Sequence, residues 1–238
     1  MALLVIDGKP AHVDLGLYTH FHGHSVFTTL RSINGRPQWW DDHWQRLCQH
    51  AGFFGFPIPD EQEILGIIAR ENQASEQKIR VSLTTAHYAL TFEPYNPPPT
   101  HIYRGVSFAI STIEVHPQLA QFKTGNSLPY WLAQQFAESH GAFEGLLINR
   151  DGFVVDGSRT SLMIFDGKCL TALEGGLRGI MREQALRFAE KKGYAVKRAH
   201  LKQQDLKGQL LLANCLIGVV PVGAIQSDLV KAMVDHFR

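Results

Sequence analysis

The sequence predicts an α+β fold built in two layers. Short apolar segments of strand length outnumber helical patterns, and most of them are separated by tight turns. Asn-Gly and Asp-Gly pairs at those turns favour hairpins, and hairpins build antiparallel sheets rather than a doubly wound parallel sheet. The pairs are Asn34-Gly35, Asp151-Gly152, Asp156-Gly157 and Asp166-Gly167.

In the first half of the chain, one strand is predicted over Val26–Ile33, ending at the Asn34-Gly35 turn. Asp41 or Asp42 is then predicted to cap a helix that Gly52 and Pro57 close. The remaining expected elements are a strand at the amino terminus, a helix over Glu61–Asn72, and strands at Lys78–Thr85, Ala89–Phe92 and Val106–Ile113.

A connector at 116–122 is predicted to separate an N-terminal domain, 1–115, from a C-terminal domain, 123–238. The second domain is expected to hold a helix over Pro129–Ser139, with proline in its first turn, and a helix over Arg182–Lys192 that ends at Gly193. Its predicted strands are Gly145–Asn149, Phe153–Val155, Ser161–Phe165, Lys168–Thr171, Ala195–Ala199, Leu210–Ala213 and Val219–Val222.

The composition is that of an ordinary soluble protein: 238 residues, 45% hydrophobic, 19% charged, formal net charge +1. It gives no basic footprint for nucleic acid, and no apolar run is long enough to span a bilayer. The start of the chain lacks the basic flank of a secretory signal, and Cys48, Cys169 and Cys215 form no CxxC pair. We therefore expect a cytoplasmic protein with reduced thiols and no nucleic-acid or membrane partner.

Three histidines at alternate positions, His20, His22 and His24, would share one face of a strand, which is a pattern seen in metal sites. No carboxylate or cysteine accompanies them locally, so a polar turn is the alternative interpretation. We predict no metal.

Lys123 precedes a helical pattern, and a lysine can act as a nucleophile when its amine is desolvated or crowded by other cations. Most lysines are solvated surface residues, and that interpretation stays open from Lys123 alone. Arg46 follows a predicted helix start, where its planar fork suits a phosphate or, alternatively, a structural ion pair with Asp42 or Glu61.

Two further segments could offer backbone N–H groups to an anion. Glycines at 175, 176 and 179 lead into a helix start at Ile180-Met181, although many ordinary helices also follow glycines. The break after Asn214-Cys215 could present amides, or it could be a plain hairpin.

Taken in order, these segments resemble the fold-type IV pyridoxal-phosphate enzymes (aminotransferase class IV), which include branched-chain and D-amino-acid aminotransferases and aminodeoxychorismate lyase. The resemblance covers nearly the whole chain and implies the two-domain D-amino-acid aminotransferase-like fold, with a small N-terminal α/β domain and a larger β-rich C-terminal domain. The matching motifs are 26–31 with Asn34-Gly35, His43-x-x-Arg46-Leu47, Lys123-x-x-Asn126, 145–149 with Gly152, Asp156-Gly157-Ser158, 179–182 and Pro221-Val222.

The resemblance implies pyridoxal 5′-phosphate as cofactor and a homodimer as the assembly. Lys123 would form the Schiff base with the cofactor, and Asp156, where the family normally has Glu, would face the pyridine nitrogen. Ser161 stands where the aminotransferases commonly have Asn. The phosphate would be held by Arg46, by the N–H groups of Ile180 and Met181, and by the Asn214-Cys215 segment.

Within the family, Phe27-Thr28-Thr29 and the run from Asn214 to Val222 are most similar to aminodeoxychorismate lyase. This implies a small-molecule substrate, 4-amino-4-deoxychorismate, converted in folate biosynthesis to 4-aminobenzoate and pyruvate, with Lys123 as base and Thr29 delivering a proton. Candidates for the groups that bind the substrate carboxylates are Arg80, Arg104 and the His20-His22-His24 cluster.

Two alternatives remain open. A transaminase for D- or branched-chain amino acids would use the same Lys123, Arg46 and Asp156. The D-amino-acid enzymes carry an arginine and a histidine near 84–88, however, and only His87 is present there. A catalytically silent binding protein of the same fold is the other alternative, which Lys123 argues against.

Overall fold

The computed structural model describes residues 3–6, 9–12, 23–71 and 74–238. Internal contacts divide the chain into two compact units. The first unit comprises Met1–Tyr95 and Phe122–Ser127, and the second comprises Asn96–Gln121 and Leu128–Arg238.

The part of the first unit that the structure describes contains two antiparallel sheets. One is the hairpin of β1 (Leu3–Ile6) and β2 (Lys9–His12). The other has the strand order β4-β3-β5-β6. Its strands are β3 (Ser25–Ile33), β4 (Arg36–Pro37), β5 (Glu76–Thr84) and β6 (Tyr88–Pro94). Among the described residues of this unit, the helices are α1 (Trp40–Phe54) and α2 (Glu61–Glu71).

Strand β3 forms because its side chains alternate between two faces. Val26, Thr28, Leu30 and Ser32 are buried, whereas every second residue between them is only half-buried. The buried face joins the core formed with both helices and β5. The predicted Asn34-Gly35 turn is confirmed, since both residues adopt the positive φ that a tight hairpin turn requires.

Helix α1 begins earlier than predicted, at Trp40. Asp41 and Asp42 lie in its first turn, where they interact favourably with the positive end of the helix dipole instead of capping the helix. The helix ends at Phe54, between the predicted Gly52 and Pro57, because Gly55 takes the left-handed conformation that ends it, at φ 70°.

The second unit contains two sheets among the residues that the structure describes. A four-stranded sheet has the order β13-β9-β8-β7, formed by β7 (Phe108–Glu114), β8 (Glu144–Ile148), β9 (Phe153–Gly157) and β13 (Leu201–Lys202). A five-stranded sheet has the order β12-β11-β10-β14-β15. Its strands are β10 (Ser161–Phe165), β11 (Cys169–Leu173), β12 (Ala195–Ala199), β14 (Gln209–Asn214) and β15 (Gly218–Pro221).

Helices connect the parallel strand pairs of this unit. Helix α4 (Leu128–Ser139) lies between the parallel strands β7 and β8, and α5 (Ile180–Lys191) lies between the parallel strands β11 and β12. The other pairs within the two sheets are antiparallel. This mixture of hairpins and few helical crossovers is the predicted α+β class.

Four helical segments of the described residues were not predicted, and one of them is a short 3-10 helix at Gln203–Asp205. The other three are α3 (Pro117–Ala120), inside the predicted connector, a short 3-10 helix at Thr100–Arg104, and α6 (Asp228–Phe237). Helix α6 is capped by Ser227, whose hydroxyl accepts the Val230 N–H at 3.3 Å. Within the described part of the chain, no helix is long and apolar enough to cross a bilayer.

The two units have different bounds from the predicted domains. Residues 96–115 group with the second unit, because β7 pairs with β8. Phe122–Ser127 groups with the first, because Thr124 forms a bridge with Val26. The division into domains 1–115 and 123–238 stays a prediction.

Candidate active site

Lys123 lies on a short segment that extends the sheet of the first unit. Its carbonyl accepts the N–H of Phe27 at 2.9 Å, and the Gly125 N–H donates to the Ser25 carbonyl at 2.8 Å. Strand β4 pairs only with the far end of β3, at Ser32 and Ile33. The near end of β3 is therefore open to the lysine segment, which is fixed by backbone hydrogen bonds.

One face of helix α1 carries three polar side chains at helical spacing. His43, Arg46 and His50 follow one another at three and four residues, so they lie on the same side of the helix. Arg46 donates from Nη2 to the Thr28 hydroxyl at 3.1 Å, and that hydroxyl lies 2.6 Å from Nδ1 of His43. Since the hydroxyl oxygen accepts from Arg46, its own proton is free to be donated to His43.

His50 contacts the lysine segment directly. The Lys123 backbone N–H donates to Nδ1 of His50 at 3.2 Å, and the ring of His50 lies edge-on to Phe122 at 5.2 Å. The phosphate-binding candidate Arg46 and the nucleophile candidate Lys123 are therefore both held by groups of the first unit.

Both histidines are kept neutral. Burial, followed by the charges of Arg46 and Lys123, lowers the pKa of His43 well below its ordinary value. The same causes in the same order lower the pKa of His50 to about 4. The nearby charges that act on these rings are cationic, so the local potential suits an anion.

The opposite face of the sheet carries Phe27, whose ring lies near two cations, Lys123 and Arg80. Nζ of Lys123 lies 4.8 Å from the centroid of the Phe27 ring, and Cζ of Arg80 lies 3.5 Å from the same centroid. Thr29 is two residues from Phe27 on the same strand and pairs with Arg80 across the sheet. Thr29 therefore shares the face of Phe27, whereas Thr28 faces helix α1.

In the second unit, Asp156 is a buried carboxylate at the end of β9, with 5% of its surface exposed. Oδ2 accepts the Leu177 N–H and Oδ1 accepts the Gly157 N–H, each at 3.2 Å. Gly176 packs so closely that an added Cβ would lie 2.8 Å from Cβ of Asp156. Burial, and then the charge of Asp156, raises the pKa of Tyr130.

A second buried carboxylate, Glu144 on β8, organises the turn that follows Asp156. It accepts hydrogen bonds from the hydroxyl groups of Ser158 and Thr160 and from the Arg159 N–H. Burial raises the pKa of Glu144, and these hydrogen bonds and the charge of Arg159 oppose that rise. The Ser158–Thr160 turn is thus held in place by the buried carboxylate of Glu144.

The start of helix α5 presents backbone N–H groups. Gly179 is the N-cap residue, and the first intrahelical hydrogen bond runs from Glu183 N–H to the Gly179 carbonyl at 3.1 Å. The N–H groups of Ile180 and Met181 precede that bond, as expected for an anion-binding helix start. A Cβ at position 179 would lie 2.3 Å from the Ser161 hydroxyl, so a larger residue there would require the Ser161 side chain to move.

The Asn214-Cys215 segment is the turn of the β14–β15 hairpin. The Asn214 side chain accepts the N–H groups of Leu216 and Ile217, at 2.8 and 2.9 Å, and donates to the Arg159 carbonyl at 3.1 Å. The plain-hairpin interpretation therefore describes this turn. Two of its backbone N–H groups already donate to the Asn214 side chain. A phosphate contact by Asn214 and Cys215 stays a prediction.

The predicted residues thus divide between the units. Lys123, Thr29 and Arg46 lie in the first; Asp156, Ile180, Met181, Asn214 and Cys215 lie in the second. Arg104 ends a 3-10 helix of the second unit, whereas Arg80 lies beside Phe27. Of the histidine cluster, His20 and His22 lie outside the described residues. No group of three metal-ligating side chains forms within the part of the chain that is described.

Three polar residues of these arrangements were missed from the sequence: Thr28, His50 and Glu144. The spacing of His50 from Arg46 was a usable signal, because it continues one helix face. Glu144 stands as the single charge at the head of the apolar run Gly145-Leu146-Leu147, a second usable signal. Thr28 could not be separated from Thr29 without knowing which face of β3 meets α1.

Known proteins resemble this chain in sequence and in fold. A model of the amino-transferase class IV family matches residues 25–225. A crystal structure named "Putative 4-amino-4-deoxychorismate lyase" is 38% identical in sequence and superposes with a TM-score of 0.93, covering 98% of both chains. A structure of a branched-chain aminotransferase from Thermoproteus uzoniensis superposes with a TM-score of 0.84, at 19% identity and over 97% of this chain and 91% of that chain.

Among characterised relatives, aminodeoxychorismate lyase of Vibrio harveyi is 23% identical over 250 residues, which cover 93% of this chain and 91% of that protein. The chloroplastic D-amino-acid transaminase of Arabidopsis thaliana is 29% identical over 212 residues, covering 78% of this chain and 57% of that protein. Since the family model spans most of the chain and the superposition confirms the predicted fold, the chain belongs to the amino-transferase class IV family.

Proposed function

We propose that the protein is a pyridoxal-phosphate-dependent carbon–oxygen lyase that converts 4-amino-4-deoxychorismate to 4-aminobenzoate and pyruvate, a reaction of folate biosynthesis. Membership of the family supports an enzyme, and the lyase names among its relatives favour this reaction. The observation that carries the chemistry is Lys123, whose main chain is fixed on both sides while its amine lies over the Phe27 ring.

The residues present fit the cofactor. The charges of Arg46 and Lys123 both lower the pKa values of His43 and His50, so the first unit offers a cationic environment that suits a phosphate. The Lys123 amine is the group that would react with the cofactor aldehyde. In this proposal Lys123 holds the aldehyde carbon, Arg46 and the Ile180 and Met181 amides hold the phosphate, and Asp156 faces the pyridine nitrogen. When bound, pyridoxal phosphate supplies an electron sink for a carbanion.

The side chains then perform two proton transfers. The Lys123 amine removes the proton from the amine-bearing carbon of the substrate. The carbon–oxygen bond to the enolpyruvyl group breaks, that group leaves with the bonding electron pair, and the Thr29 hydroxyl helps deliver a proton to its methylene carbon. The products are 4-aminobenzoate and pyruvate, and formation of the aromatic ring favours the forward direction.

Arg80 is the better supported of the arginine candidates for a substrate carboxylate. Its guanidinium lies against the same Phe27 ring as the Lys123 amine, across the sheet from Thr29. Burial lowers the pKa of Arg80, and the charge of Glu93 opposes that effect. Its Nε donates to a neutral acceptor, the Ser82 hydroxyl, at 3.2 Å. A planar fork in this setting suits a carboxylate.

A transaminase is the second candidate, because the family also contains D-amino-acid and branched-chain enzymes. It would use the same lysine, arginine and aspartate, but it needs a second substrate and proton return to the cofactor. His87 lies in the turn between β5 and β6, and its carbonyl accepts the Thr84 N–H at 2.8 Å.

We further propose a cytoplasmic homodimer. Helix α4 bears an exposed apolar face on which Leu128 is 61% exposed, Trp131 56% and Leu132 40%. Contiguous apolar surface of this kind is characteristic of an interface. Sedimentation of the purified protein as a monomer would contradict this assembly.

The decisive experiment is a coupled pyruvate-release assay with 4-amino-4-deoxychorismate, run beside a panel of D- and branched-chain amino acids. The expected result is pyruvate release equal to 4-aminobenzoate formed, with no amino-group transfer. Rapid transamination of alanine or valine without pyruvate release from aminodeoxychorismate would favour the transaminase.

The cofactor is tested separately. Borohydride treatment of the holoprotein is expected to fix a pyridoxyl group on Lys123, detected by peptide mass, and Lys123→Ala should carry none. We expect that variant to lose activity on the order of a thousandfold or more, because both the cofactor linkage and the base are removed. Protein that takes up no pyridoxal phosphate would overturn both candidate functions.

A further inference from the structure

The main chain of Lys123 is held from two directions by two different elements. Its carbonyl accepts the Phe27 N–H of β3 at 2.9 Å, and its N–H donates to Nδ1 of His50 on α1 at 3.2 Å. The sheet contact is backbone to backbone and would form with many sequences. The helix contact is made by a side chain, so it forms only if residue 50 carries a hydrogen-bond acceptor in the right place.

The position of His50 suits this contact. The residue lies one helical turn beyond Arg46 on the same face of α1, in the last turn but one of that helix. It is 7% exposed, and its ring packs edge-on against Phe122, the residue immediately before Lys123. Phe122 is held in turn by Phe53, with ring centroids 4.3 Å apart, and by Phe54 at 5.0 Å.

The imidazole is in the state that the contact requires. A ring nitrogen that accepts a backbone N–H must be unprotonated, so the neutral ring carries its proton on Nε2. Burial and the charges of Arg46 and Lys123 lower the pKa of His50 to about 4, and the acceptor lone pair is available at neutral pH. A histidine that only filled space would have no need for that lone pair at Nδ1.

We propose that His50 is a positioning residue for Lys123: its Nδ1 fixes the lysine backbone to the same helix that carries Arg46. The inference rests on the proposed function of Lys123 as the cofactor lysine. One rigid helix then sets both the phosphate contact and the register of the amine that must reach the cofactor aldehyde. Such orientation contributes to rate without adding a reacting group.

The test compares His50→Asn with His50→Leu in otherwise full-length protein. Asn places an acceptor oxygen the same number of bonds from the backbone as Nδ1 of histidine, whereas Leu fills a similar volume without an acceptor. The exposed neighbour Gln49 supplies the matched control, Gln49→Ala, on the same helix. The readout is the rate at which cofactor-free protein captures pyridoxal 5′-phosphate on Lys123, fixed by borohydride at timed intervals and measured by peptide mass.

We expect His50→Leu to slow capture roughly tenfold, the size expected for one lost buried hydrogen bond. The capture rate of His50→Asn should stay within about threefold of the wild-type rate, because the hydrogen bond is retained. The capture rate of Gln49→Ala should equal that of wild type. Equal rates for wild type and His50→Leu, or equal slowing by Leu and Asn, would overturn the proposal. Because capture is measured without substrate, absence of lyase turnover would count against the proposed reaction and not against this role.

A measurement on the unmodified protein covers the case in which His50→Leu does not fold. The ¹⁵N spectrum of the imidazole groups reports which ring nitrogen carries the proton. At pH 7.5 the proposal requires an unprotonated, hydrogen-bonded Nδ1 and a protonated Nε2 in His50. A proton on Nδ1 would exclude the contact and overturn the proposal.

Discussion

Thr28 and His43 are joined by a buried hydrogen bond of 2.6 Å between the threonine hydroxyl and Nδ1 of the imidazole. The same hydroxyl accepts from Nη2 of Arg46 at 3.1 Å. Arg46 is thus oriented by a relay that begins on a fully buried histidine, whose Nε2 has no hydrogen-bond partner among the described residues. The neutral state of His43 matters, since a protonated ring could not accept from Thr28.

Thr28→Val should weaken cofactor binding. The substitution preserves shape but removes the acceptor of Arg46 and the donor to His43. We expect the Kd for pyridoxal phosphate to rise roughly tenfold and the free energy of unfolding to fall by about 1–3 kcal/mol. Spectroscopic titration and urea denaturation measure the two effects. Wild-type affinity in this variant would show that Thr28 does not orient Arg46.

Thr29→Val should have the converse effect. Thr29 faces Phe27 and Arg80 instead of α1, so its loss leaves the Arg46 relay intact. We expect kcat for pyruvate release to fall about a hundredfold, as for loss of an assisting proton donor, with the cofactor Kd unchanged. Steady-state assays on the same preparations used for Thr28→Val supply the comparison. Equal kcat in Thr29→Val and wild type would remove Thr29 from the reaction.

The contrast between Thr28 and Thr29 shows which features of the site could be predicted from the sequence and which could not. The motif order placed Lys123, Arg46 and Asp156 in one family pattern. Adjacent residues of any strand face opposite ways, so Thr28 and Thr29 had to lie on different faces of β3. Which face meets helix α1 depends on long-range packing of Val26, Leu30 and Leu47, and no local pattern determines it. The His50–Lys123 contact joins residues 73 apart in sequence, and no local pattern could predict it either.

Glu144→Ala should destabilise the second unit. The buried carboxylate accepts from two hydroxyl groups and one backbone N–H of the Ser158–Thr160 turn, and alanine leaves those donors without their acceptor. We expect the free energy of unfolding to fall by roughly 3 kcal/mol, with a smaller loss for Glu144→Gln. Thermal and urea unfolding measure it, with the exposed Glu190→Ala as control. Stability equal to wild type in Glu144→Ala would show that the turn is fixed by other groups.

The stability of the protein should fall as the pH is lowered from about 6.5 towards 4. The pKa values of His43 and His50 are lowered in the folded protein, to about 4 for His50. Above pH 6.5, the ordinary pKa of histidine, both imidazole rings are neutral in the folded and the unfolded state, and their contribution to stability is fully present. Below pH 6.5 these rings bind protons in the unfolded chain but not in the folded protein, so the contribution declines. It is lost as the pH passes through the folded-state pKa.

His50→Asn isolates the part of this slope due to His50. We expect its unfolding free energy to depend less steeply on pH between 6.5 and 4, by up to about 1.4 kcal/mol per pH unit. Urea midpoints at a series of pH values measure it, and the exposed Gln49→Ala on the same helix, which changes no titratable group, should retain the wild-type slope. Identical slopes for wild type and His50→Asn would mean that His50 titrates alike in both states.

Asp156→Asn should separate cofactor binding from cofactor chemistry. Asp156 is buried, and each of its oxygens accepts one backbone N–H, from Gly157 and Leu177. Asparagine keeps the shape and one acceptor but cannot hold a proton on the pyridine nitrogen by charge. Since that proton allows the ring to accept electrons, removal of the substrate proton should become rate-limiting.

We expect Asp156→Asn to retain the cofactor Kd within a few-fold while kcat falls by about a hundredfold or more. A kinetic isotope effect on the amine-bearing carbon should grow in the variant, because proton removal then limits turnover. The exposed Asp151→Asn, at the preceding turn, should behave as wild type in both measurements. Turnover unchanged in Asp156→Asn would mean that the aspartate, one methylene shorter than the glutamate usual in the family, does not pair with the ring nitrogen.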